Sequence, residues 1–139
     1  MDLTLKQRLS SSDQGPTLLT RAWQNKEVAA ARCVALAITL VMIWYFITSD
    51  AIRSDNPFLV PDLLLTAFLL AAGLLPAGIA RPALVFAFGW TSAVLTVSLF
   101  TYIVRDEFSQ GANHLAMIIP SLAMAAILTL TLQKFTRGR

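Results

Sequence analysis

Apolar residues dominate four stretches of the chain, 29–48, 58–80, 82–104 and 114–133, and short polar segments separate them. A helix rises ~1.5 Å per residue, so each stretch of about twenty residues reaches across ~30 Å of hydrocarbon. The pattern predicts an all-α integral membrane protein, a bundle of four transmembrane helices. Ahead of the first stretch, Pro16-Thr17 reads as a helix start, and Leu18, Leu19, Ala22 and Trp23 recur at helical spacing against Arg21 and Lys26. That stripe predicts a short interfacial helix before the first span, lying on lipid headgroups or docking a protein partner. Residues 1–28 are then a cytoplasmic segment, 29–135 the membrane domain and 136–139 a basic tail.

Charge orients the spans. Lys6, Arg8, Arg21, Lys26, Arg32, Arg81, Lys134, Arg137 and Arg139 fall on one side, and only Arg53 and Arg105 on the other. Lys and Arg near span ends mark the cytoplasmic face, so both termini are expected inside. Asp50, Asp55, Asp106 and Glu107 occupy the two outer loops. Trp44, Tyr45 and Phe46, then Phe58, then Phe100 and Tyr102, match an aromatic belt at the outer boundary. The segment Ala80-Arg81-Pro82 is expected to be the tight turn between spans two and three, with Pro82 at the first helical position, where its missing N–H costs little.

Composition narrows the classes. Of 139 residues, 56% are hydrophobic and 14% charged, which leaves no loop long enough to fold as a soluble domain. The net charge of +3 is spread over both ends and one turn and forms no basic face with interleaved aromatics, so no nucleic-acid partner is expected. Cys33 is the sole cysteine, which excludes an intramolecular disulfide and a CxxC redox pair. The first apolar run lacks a small-residue cleavage site and is expected to remain as a span. Neither Asn56 nor Asn113 lies in an N-x-S/T sequon. A bacterial plasma membrane is the expected location.

Asp62 is the one carboxylate inside an apolar run, where a charge costs ~2.5–3.5 kcal/mol on the insertion scale. If the helix begins at Pro61, Asp62 sits in the outer headgroup layer, where a helix N-terminus favours an anion. The alternative is an ion- or proton-coupling carboxylate facing Arg105 or His114. His114, the only histidine, cannot alone supply a haem, di-iron or zinc site, so no metal or other cofactor is expected. Small residues recur at four-residue spacing: Gly73 and Ala77, Gly89 and Ala93, and Ser121, Ala125 and Thr129. Such faces let helices approach closely, and span three is expected to face the bundle through Gly89 and Ala93. The hydroxyls of Ser92, Thr96, Thr91, Ser98 and Thr101 either serve as contacts or bond their own i−4 carbonyls.

No nucleophile, base or metal cluster has the spacing a reaction demands, so an enzyme is not expected. Strict orientation, small-residue faces and cytoplasmic segments fit a non-catalytic accessory subunit packed against other integral membrane subunits of a transporter or respiratory assembly. A small homo-oligomeric transporter or channel using Asp62 is the alternative.

Overall fold

A computed structural model describes the backbone of residues 18–49 and 51–137, and within it the side chains of residues 26–49, 51–76 and 78–133. Every regular element among the described residues is helical. Helix α1 runs Leu18–Thr48, α2 Leu59–Leu74, α3 Ala77–Val104, α4 Phe108–Gly111 and α5 Leu115–Arg137, with a 3₁₀ turn at Ala112–His114 between the last two. Three segments are long and apolar enough to cross a membrane, Lys26–Thr48, Gly78–Val104 and Phe108–Gln133, while α2 is a shorter apolar helix of 16 residues.

Two boundaries differ from expectation. The separate interfacial helix is absent as such, because Leu18–Thr48 is one uninterrupted helix. The side chains of Leu18, Leu19, Ala22 and Trp23 lie outside the described residues, as does all of residues 1–17. The turn between the second and third apolar stretches is at Leu75-Pro76, not at Ala80-Arg81-Pro82. Steric conflict with the proline ring forces the preceding residue out of the α region, and Leu75 is extended with φ −61° and ψ 150°. Pro76 caps the next helix, its carbonyl accepting from the N–H groups of Ile79 and Ala80 at 3.1 and 3.0 Å. Pro82 consequently lies inside α3, and Pro120 inside α5.

The four longer helices each turn one face to the interior, at three- and four-residue spacing in α1 and α2. Ala31, Ala35, Ile38 and Met42 do so from α1, Leu65, Leu69 and Ala72 from α2, Ala80, Leu84, Ala87, Phe88, Leu95 and Leu99 from α3, and Ile118 and Leu128 from α5. This spacing keeps a seam on one helix face. Helix α3 is central: it packs against both α2 and α5, while α1 lies against α2 and also touches α3 and α5.

The remaining faces are apolar too. Ile47 is 73% exposed, and Leu70, Phe86, Phe100 and Leu130 also face outward, while Thr39, Asp62, Thr91, Ser92, Ser98 and Ser121 are buried. A bundle largely apolar outside, with these polar groups within, is compatible with hydrocarbon around it.

The bundle has two polar ends. At the end where α2 meets α3, the Arg32 guanidinium donates to the Leu75 carbonyl, which the helix terminus leaves unbonded. Arg81, one turn inside α3, donates from Nη1 to Thr131 Oγ1 at 2.6 Å and pairs with Glu27 at 3.6 Å. Four helices are thereby joined. The opposite end carries the 49–58 loop and the α3–α5 connection, and it holds the candidate site.

A candidate cation site at the loop end

Asn56 sets the start of α2. Its Nδ2 donates to the Ala51 carbonyl at 2.9 Å, and its Oδ1 accepts from the Phe58 N–H at 3.0 Å. This side-chain turn satisfies a backbone donor that the first helical turn leaves free, the work expected of a capping residue. Asp62 makes no such bond: the helix begins at Leu59, and the Asp62 N–H already donates to the Phe58 carbonyl at 2.9 Å. Asp62 keeps the favourable end of the helix dipole, but the residue is only 7% exposed. Among the described residues, none of the hydrogen bonds or ion pairs involves its carboxylate.

That carboxylate lines a cavity of about 250 Å³. Tyr45 and Met42 contribute from α1, Phe58 and Asp62 from the start of α2, Leu95, Ser98 and Tyr102 from α3, and Gln110, Asn113, His114 and Met117 from the connection and α5. The lining is mixed: one carboxylate, several amide and hydroxyl groups, aromatic rings and aliphatic carbon. An open vestibule of about 730 Å³ adjoins it, lined by Ser49, Ala51, Arg53 and Asp55 together with Tyr45, Asn56, Tyr102 and Gln110, which line both spaces. Arg53 and Asp55 neutralise one another there, with nitrogen to oxygen distances of 3.1 and 2.9 Å.

His114 is oriented from both ring nitrogens. The Gly111 carbonyl lies 2.9 Å from Nδ1 and can only accept, so Nδ1 carries hydrogen. In the neutral ring Nε2 then accepts from the Ser98 hydroxyl at 3.2 Å. The Tyr102 and His114 rings lie 5.6 Å apart. The backbone of Gly111 sits so close to Tyr102 that a Cβ added there would lie 2.8 Å from its Cβ and Cδ2.

Sequence reasoning named Asp62, His114 and Arg105 together, and the structure unites the first two at one cavity. Arg105 is instead the exposed C-cap of α3. It precedes Asp106, whose φ of 57° completes a helix-ending turn with bonds from Asp106 N–H to the Ile103 carbonyl and from Glu107 N–H to that of Tyr102. Tyr45, Tyr102, Ser98, Asn56 and Gln110 were missed as site residues. Ser98 carried no signal in the sequence, and only the hydrogen bonds set it apart. Ser92, Thr101, Ser121, Thr129 and Thr131 bond carbonyls four residues back, whereas Ser98 reaches across helices.

The small residues divide. Gly73 and Ser121 are buried, Gly73 with Leu36 Cδ2 3.2 Å from the place of its missing Cβ. Gly89, Ala93 and Thr129 are exposed and Ala125 half-buried, while the side chain of Ala77 lies outside the described residues. The expected inward role of Gly89 is overturned: nothing lies within 4 Å of its Cβ position, because Phe88, Thr91 and Leu95 occupy the inner face of α3. Beside it an apolar groove of about 300 Å³ runs along Phe58, Pro61, Trp90, Ala93, Val94 and Val97.

Comparison with protein-family models, with curated proteins and with solved structures found no match for this chain.

Proposed function

We propose that this chain is a small membrane-embedded carrier that takes a cation at Asp62 from the loop-end vestibule. The observation supporting this is the carboxylate of Asp62, a residue only 7% exposed, without a hydrogen bond or ion pair among the described residues and at a cavity next to open solvent. A buried anion without a counter-charge is costly, and an entering cation or proton relieves that cost. The charge pattern supports an orientation with both termini cytoplasmic and the vestibule outside, α2 completing a four-helix membrane bundle.

The expected outcome in proteoliposomes holding a pH-sensitive dye is that an imposed gradient of a small cation drives proton counter-movement with the wild-type protein, and that Asp62→Asn abolishes it. Equal signals from wild type, variant and protein-free liposomes would sink the carrier reading.

One observation favours a second reading, an accessory subunit bound to other integral membrane subunits. Gly89 and Ala93 present an open, small-residue face that the chain does not use internally, and such faces admit close approach of a second helix. A stoichiometric second chain retained in mild detergent would support that reading.

A further inference from the structure

We infer that the occupant of the Asp62 cavity is an organic ammonium ion, a conclusion that rests on the reading of Asp62 as a cation site. Three features separate this class from a metal ion or a bare proton. First, the imidazole is already engaged: Nδ1 at the Gly111 carbonyl and Nε2 at the Ser98 hydroxyl, which leaves no lone pair free for a metal. A hard cation such as Ca²⁺ draws 6–8 oxygen ligands and favours carboxylates, whereas this lining supplies a single carboxylate. Second, the cavity of about 250 Å³ is far larger than one ion requires. Water takes roughly 30 Å³ per molecule in the liquid, so the space would hold a cluster of about eight waters or one molecule with a carbon body.

Third, the walls suit such a body. Tyr45, Phe58 and Tyr102 bring aromatic rings to the cavity that holds the carboxylate, and Met42, Leu95 and Met117 add apolar surface. Aromatic rings attract ammonium cations through their quadrupole, most strongly where water is displaced. A single carboxylate supplies the counter-charge, and the Asn113 and Gln110 amides add polar edges to the lining. The vestibule, neutralised by Arg53 with Asp55, presents no net charge from that pair to an approaching cation.

The test uses full-length protein in lipid nanodiscs, titrated with tetramethylammonium chloride or with sodium chloride at equal ionic strength. Modification of Asp62 by dicyclohexylcarbodiimide is followed in parallel by peptide mass. Tetramethylammonium is expected to bind saturably and to slow the modification, sodium to do neither. Tyr102→Leu is expected to weaken binding on the order of tenfold, and Tyr102→Phe, which keeps the ring, to leave it near wild type. Binding and protection by sodium equal to those by tetramethylammonium would overturn the ammonium assignment and leave Asp62 standing as a cation site. Modification unaffected by either salt, with no saturable binding, would overturn both. The comparison of salts needs only the wild-type protein, so it holds even if a variant fails to fold.

Discussion

Gly111 shows how one residue governs the site. With Tyr102 Cβ and Cδ2 2.8 Å from the place of a Cβ, the connection between α3 and α5 lies directly on the Tyr102 ring. Gly111→Ala must push that ring or the connection aside, and overpacking of this kind costs about 1–3 kcal/mol. The expected result is a lower thermal midpoint in detergent, together with weaker ammonium binding, because Tyr102 lines the cavity and its ring neighbours His114. An unchanged midpoint and affinity would show that the contact relaxes freely. Asp62 was legible as unusual from sequence, since a carboxylate in an apolar run is conspicuous. Its burial was not. The start of α2 depended on Asn56 and the bond it accepts from the Phe58 N–H, and a start two residues earlier than Pro61 moved Asp62 from the rim into the interior.

At the scale of helices, hydropathy found the four apolar stretches and misplaced the turn between the middle two. Leu74, Leu75, Ala77 and Ile79 continue the apolar run through Pro76, so Arg81 was the only polar landmark available. The chain instead breaks at the proline, for the backbone reason shown by the extended Leu75, and Arg81 is drawn inward by Glu27 and Thr131. Contacts so distant in sequence leave no local signal. The face of α3 was misread for a related reason: small side chains permit close packing but do not say with what. Because nothing lies within 4 Å of a Cβ at Gly89, Gly89→Leu is expected to leave helix content and thermal midpoint unchanged. If the accessory reading holds, the same variant loses the co-purifying chain, and retention of a full complement of that chain would remove Gly89 from the interface.

For the whole molecule, the two polar ends do different work. The loop end encloses a cavity, whereas the other end is closed by side chains that join four helices, Arg32 to the α2 terminus and Arg81 to α1 and α5. In the carrier reading, access to Asp62 is from the loop end, and a full transport cycle would require rearrangement at the joined end. The short α2 adds a condition on the surroundings. Its 16 residues span about 24 Å, less than the ~30 Å of an average hydrocarbon layer, while α3 with 28 residues extends about 42 Å. With α2 as the fourth span, such unequal lengths would create hydrophobic mismatch, which a bilayer meets by thinning locally at a cost for each ångström. Thermal stability in nanodiscs of graded acyl-chain length is expected to peak with the shorter lipids, and a peak with the longest would contradict this. The Leu75-Pro76 break would then act as a thickness gauge, favouring thin regions of membrane and sorting the protein by the lipid around it.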